Sequence, residues 1–341
     1  MNVAERLRVP QAPLRLPRWL AVGGMTVIVG YLLVSPLIAA PFVNFDRSMV
    51  MVYLIVGLGL NLLTGFTGQI SLGHGAFFAL GAYLAAVLIN EQGWPYLAVL
   101  PAAAVVSWIV GYLVGRPALR LHGLQLALVT LALALITPSV IKRFDHVTKG
   151  QEGINLDTAM PPAWMGLERD QWVFYLCFAC AAVTLIVSSR LASGRIGRSL
   201  VAIRDNEPVA TTLGVRPEIL KTQVFALSAA CAGVAGALYA FVVQFVAPEA
   251  FGLTLAIAFV TLIVVGGLGS TFGSVFGAIF VVYVPDLTAG LNQSAAGLTY
   301  GLSLVIFMFL LPAGVIGLVR TVVNPLTSRW RTPAPRSTGV S

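Results

Sequence analysis

The chain has 341 residues, of which 58% are apolar and 10% charged, with a net charge of +8. An ordinary soluble domain carries about 25% charged residues, so this sequence has too few charges to clothe a water-facing surface. With a mean hydropathy of +0.89, the expected fold is all-α: a polytopic bundle of transmembrane helices whose outer surface faces lipid.

In chain order, residues 1–18 form a basic arm and 321–341 a basic tail, with the expected membrane domain spanning 19–320. The apolar run that follows the arm exceeds the roughly 7–15 residues of a signal-peptide core, so it reads as a retained span. A membrane helix needs about 20 apolar residues. About ten spans are expected on that count, near 19–42, 48–66, 73–90, 95–115, 123–141, 171–189, 222–245, 253–268, 272–285 and 298–319. Spans eight and nine also read as one broken hairpin, because Gly266, Gly267 and Gly269 separate them.

With both termini cytoplasmic, sixteen of the 21 Lys and Arg residues fall inside and five outside. That asymmetry is the positive-inside pattern. It accounts for the basic isoelectric point without a nucleic-acid partner. No Asp, Glu, Lys or Arg falls in the middle of a span, whereas carriers driven by ion gradients keep such groups at membrane depth.

The link between spans two and three carries five glycines between Gly57 and Gly73, interrupted by Asn61, Thr64, Thr67, Gln69 and Ser71, with His74 following. Broken helices of this kind form solute sites in carriers, because freed backbone groups can hold polar solute ends. A tight turn whose polar residues bond neighbouring helices is the other reading. His74 has no second histidine or carboxylate beside it and reads as a hydrogen-bonded packing residue.

The inner loop 190–221 predicts a short helix from near 207 to 213. Asn206 is a suitable N-cap, Pro208 suits the first turn and Gly214 the stop. Such a helix is marginal alone, so a docking partner is expected. Ala210 and Gly214 would allow close approach, rimmed by Arg204, Asp205 and Glu207. Further on, Gly269, Gly273 and Gly277 are spaced by four on one expected helix face, suited either to packing within the chain or to a subunit interface. The outer loop 141–171 is either a solvated connector or a partner contact. Cys177, Cys180 and Cys231 lie in apolar runs and read as packing residues, with no metal site and no cofactor expected.

No G-x-x-x-x-G-K-[ST], H-E-x-x-H or G-x-S-x-G occurs. A membrane enzyme therefore has little support, and energy for uphill transport has to come from another chain.

The stretch 57–81 resembles the signature of permease subunits of branched-chain amino acid ABC importers. The loop 197–215, reading G-R-S-L-V-A-I-R-D-N-E-P-V-A-T-T-L-G-V, is similar to that family's cytoplasmic coupling segment. Residues 119–131 with 148–154 resemble the M-type subunit of the leucine/isoleucine/valine importers. Two departures stand out: Lys149, Gln151 and Glu152 interrupt a segment usually richer in Gly, Pro and Asn, and Glu207, Ala210 and Gly214 match the common E-A-A…G loop loosely.

The resemblance implies a bacterial inner-membrane permease subunit paired with a homologous H-type permease. It implies two ABC ATPase subunits docked on Arg204, Asp205, Asn206, Glu207, Ala210 and Gly214, and a periplasmic substrate-binding protein outside. Asn61, Thr64, Gln69 and Ser71 would line or shape the pathway. Urea, short amides and aromatic acids compete as cargo with leucine-type amino acids, and a secondary carrier is the rival outside this class.

Overall fold

In the computed structural model, the described residues are 18–291 apart from 119–120, 122, 157–159 and 162–164, together with 301–302, 304–307 and 314–317. The helices are α1 (Arg18–Val34), α2 (Pro41–Thr67), α3 (His74–Gln92), α4 (Tyr96–Ala118), α5 (Leu124–Arg143) and α6 (Asp145–Thr148), followed by α7 (Arg169–Ser193), α8 (Arg195–Asp205), α9 (Glu207–Thr212), α10 (Pro217–Val243), α11 (Leu253–Gly266) and α12 (Gly273–Leu291).

Six of them, α2 to α5, α7 and α10, are long and apolar enough to cross a membrane. They correspond to expected spans two to seven. The expected first span becomes the 17-residue α1 followed by a 3-10 turn at Ser35–Leu37. Spans eight and nine are the shorter α11 and α12, of 14 and 19 residues. At 1.5 Å per residue α11 is about 21 Å long, short of a hydrocarbon core of about 30 Å. Most of the tenth expected span, the tail and residues 1–17 of the arm lie outside the described residues. One described piece of that span packs on α12, where Phe307 meets Phe280 at 4.6 Å between ring centres.

The core forms around α10, which packs on α2, α3 and α4. Its sequence explains this. Ala226, Ala229, Ala232, Ala235, Ala237 and Ala240 are all fully buried. In lipid no hydrophobic drive holds helix to helix, and close van der Waals packing of small residues takes its place. Two glycine contacts mark where backbones meet. A Cβ built on Gly81 of α3 would lie 1.9 Å from the Gly233 carbonyl oxygen, and one on Gly236 would lie 1.9 Å from that of Phe78.

One element departs from the all-α expectation. Ile154–Asn155 (β1) pairs antiparallel with Phe245–Val246 (β2), with Ile154 opposite Val246. Part of the loop 141–171 is thereby pinned to the end of α10, with Asn90 Nδ2 donating to the Asn155 carbonyl at 2.6 Å. Beside it Lys142 pairs with Glu249 at 2.7 Å.

Candidate functional site

The break after α2 is built from its own sequence. Gly68 adopts φ of +73° and its N–H returns to the Thr64 carbonyl, which stops the helix. Only glycine takes that conformation without strain. The chain then runs irregularly to Gly73, where α3 begins.

Three groups of contacts hold this break in place. Asn61, on the last turns of α2 and 2% exposed, reaches the turn between α11 and α12. Its Nδ2 donates to the Ser270 carbonyl at 2.7 Å and to Ser274 Oγ at 3.2 Å. Its Oδ1 accepts from the Gly269 N–H at 2.8 Å. Ser71 and His74 form the second group. His74 Nδ1 lies 3.1 Å from Ser71 Oγ, and Nε2 lies 2.6 Å from Ser228 Oγ on α10. Thr130 of α5 closes the same region, its hydroxyl accepting from the Leu72 N–H at 3.0 Å.

The third contact comes from the amphipathic surface helix α8. Arg204, in its last turn, donates from Nη1 to the Gly65 carbonyl at 2.8 Å. A Cβ on Gly68 would fall 2.9 Å from Arg204 Cγ, and one on Gly269 3.8 Å from its Nη1. The guanidinium thus lies against both breaks at once, that after α2 and that before α12. A paired Asp205 carboxylate at 3.4 Å accompanies it.

Helix α9 follows directly. Asn206 caps it, Oδ1 accepting from the Val209 N–H at 3.1 Å, and Gly214 with φ of +83° turns the chain beyond it. Glu207 is bound to the amino-terminal end of α10 through Lys221, at 2.7 Å; the lysine side chain is 7% exposed. A buried lysine needs such a partner.

The structure corrects several expectations here. Ala210 is buried, at 1% exposure, because α9 lays that side on α8 and α10. It cannot share a docking face with Gly214, which is open. The exposed side of α9 instead offers Val209 and Leu213, at 52% and 75% exposure. Of the expected charged rim, Arg204 and Glu207 turn inward and Asp205 stays exposed.

Gly269 is not on the α12 face with Gly273 and Gly277. It sits in the turn before α12, with φ of +75°. Gly273 backs onto Gly266 and Gly277 onto the Leu262 carbonyl, both in α11. These glycines pack the chain against itself.

Among the expected pathway residues, Asn61 and Ser71 are committed to bonds between elements. Thr64 supplies the carbonyl that caps α2, and Gln69 carries a buried Oε1 without a hydrogen-bond partner. Sequence reasoning did not find the Arg204–Gly65 contact, the Lys221–Glu207 pair or the Ser71–His74–Ser228 chain. Ser71, His74 and Ser228 are polar side chains inside otherwise apolar runs, whereas Arg204, Glu207 and Lys221 lie in a charged loop where nothing local marks their partners.

A bundle of long apolar helices, with a charged surface helix bonded to a break in one of them, defines a multi-pass membrane protein. The chain belongs to the family described as branched-chain amino acid transport system / permease component, whose model matches residues 47–311.

It is 32% identical over 331 residues to the high-affinity branched-chain amino acid transport system permease protein LivM of Escherichia coli K12, covering 88% of this chain and 78% of that one. It is 22% identical to LivH of the same strain, with 78% and 91% covered. Against the probable branched-chain amino acid transport permease protein LivH of Methanocaldococcus jannaschii it is 29% identical, with 79% and 89% covered. No solved structure matches the chain.

Proposed function

We propose that this chain is one of two non-identical permease subunits in an ATP-driven importer of branched-chain or related amino acids across a bacterial inner membrane. The observation that carries the proposal is the Arg204 bridge. A surface helix that docks an ATPase has to pass its movement to the membrane helices, and here a charged side chain spans that step directly.

On this reading about ten apolar segments lie in the membrane, α11 and α12 as a broken hairpin, with both termini cytoplasmic, so that α8, α9 and sixteen of the 21 basic residues face the cytoplasm. Two ATPase subunits serve the permease pair, one on the exposed side of α9 with Asp205, Val209, Leu213 and Gly214. A homologous H-type subunit completes the pathway, and a substrate-binding protein delivers the solute at the face carrying β1 and β2. ATP binding and hydrolysis shift the pair between two states because the ATPases hold α9 differently in each. Asn61 and Ser71 shape the pathway by fixing the break after α2, while Thr64 and Gln69 line it, with the unpartnered Gln69 Oε1 left for a polar solute group.

Affinity purification of the chain from native membranes in mild detergent tests the assembly. A P-loop ATPase and a second permease are expected with it; recovery alone or as a homo-oligomer overturns the proposal. Uptake by the reconstituted complex of leucine, valine and isoleucine, set against urea, amides and aromatic acids, tests the cargo.

A further inference from the structure

At the end of α10 remote from α9, a cavity of about 320 Å³ opens between the amino-terminal ends of α2 and α7. Small-molecule sites begin near this size, at roughly 300 Å³. Its lining combines apolar Pro41, Phe42, Phe45, Val173 and Val242 with polar Ser48, Arg169 and Asp170.

Arg169 is out of place for a structural charge. It occupies the first turn of α7, where a cation opposes the helix dipole, and it is half-buried. Its Nη2 donates to the Phe241 carbonyl at 3.0 Å, but its Nε is buried without a hydrogen-bond partner.

Two more groups carry spare capacity. Asn44, fully buried, holds Asp170 Oδ2 at 2.6 Å and the Pro36 carbonyl at 3.1 Å through Nδ2, while its own Oδ1 is buried without a partner. Among the described residues nothing bonds the other Asp170 oxygen. Buried polar groups left unpaired ask for an explanation; Arg169, which carries one of them, lines the cavity, and Asn44 is bonded to Asp170, which lines it too.

We infer that this cavity binds a zwitterionic amino acid with a branched apolar side chain, as the first station of the solute on the permease. The guanidinium of Arg169 takes the carboxylate. The free oxygen of Asp170 takes the ammonium group, and Phe45, Val173 and Val242 enclose the hydrocarbon. An amide or a deaminated acid would leave one of the two half-buried charges unanswered, which favours the zwitterion over either analogue. The inference rests on the importer reading above and assigns it a site.

The test is equilibrium binding of radiolabelled leucine to the complete permease–ATPase complex in nanodiscs, with no binding protein present. Saturable binding is expected, displaced by valine and isoleucine but not by leucinamide or 4-methylpentanoate. Arg169→Gln and Asp170→Asn each weaken it at least tenfold, and Arg169→Lys recovers part. Phe45→Ala, which leaves the polar contacts in place, weakens it several-fold and decides the matter if the charge variants do not assemble.

Wild-type affinity in the assembled variants overturns the inference. So does absence of saturable binding in a preparation that imports leucine once binding protein and ATP are supplied. A preparation that imports no amino acid under those conditions overturns the importer reading instead.

Discussion

Arg204 and Gly65 are joined by a hydrogen bond of 2.8 Å that runs from a surface helix to the last turns of a membrane helix. The same guanidinium lies beside Gly269 in a second break, so one side chain adjoins both.

Replacing Arg204 by Ala removes a charge-assisted bond of about 1.5–3 kcal/mol. The ATPase stays docked, since α9 keeps its cap and its Lys221 tie, but import falls roughly tenfold or more, at 1.4 kcal/mol per decade. Import and ATPase activity measured on one preparation check this. An unchanged ratio of import to hydrolysis would remove Arg204 from the coupling path.

Leu213→Asp places a charge on the exposed apolar side of α9. Co-purification of the ATPase is expected to fail while the chain still inserts. Ala210→Asp, by contrast, is expected to destabilise the permease itself, because Ala210 faces inward. Comparing detergent melting temperature with ATPase recovery separates the two.

Asn61→Ala leaves the Gly269 N–H without its acceptor and Ser270 without its donor. The penalty for an unsatisfied buried group is about 1–3 kcal/mol. A lowered melting temperature is expected, with faster hydrogen exchange in the turn 267–272. Exchange that is unaltered there would show that the turn holds without α2.

Glu207→Gln strips the partner from a lysine side chain that is only 7% exposed. Stranding a buried charge is strongly destabilising, though the half-open carboxylate side tempers the effect. Lys221→Met added to Glu207→Gln restores much of the loss. The double-mutant cycle is the measurement, and strict additivity of the two changes would show that the pair does not interact.

The hydrogen bond from Lys142 holds the Glu249 carboxyl below the usual carboxylate range. A carboxyl lowered in the folded state contributes its stabilisation above its unfolded pKa and loses it as pH falls through the folded one. Because the pair is exposed, the effect is small and screened by salt. Proteolysis near Glu249 is expected to rise in acid, and to rise less after Glu249→Gln.

Much of this was readable in the sequence, for stated reasons. Long apolar runs mark spans two to seven, although the helices Pro41–Thr67 and Pro217–Val243 start seven and five residues before the expected bounds, and the Asn206, Pro208 and Gly214 signals mark α9. The rest depends on contacts that no local pattern encodes. Asn61 meets Ser270 across 209 positions of sequence. Two-residue strands such as β1 show no alternation to read. A six-residue helix is too short for a period to reveal that Ala210 points inward, and equal spacing placed Gly269 on a helix that begins only at Gly273.

The meeting of Gly81, Gly233 and Gly236 bears on how such a molecule can move. Where carbonyl and glycine nest at van der Waals distance, neither helix can slide by a turn past the other without driving a side chain into backbone. Helices α3 and α10 are therefore keyed together as a stator. On the proposed importer reading, any rocking that opens one side of the membrane and then the other carries them as one unit and leaves the two glycine breaks that Arg204 touches to flex.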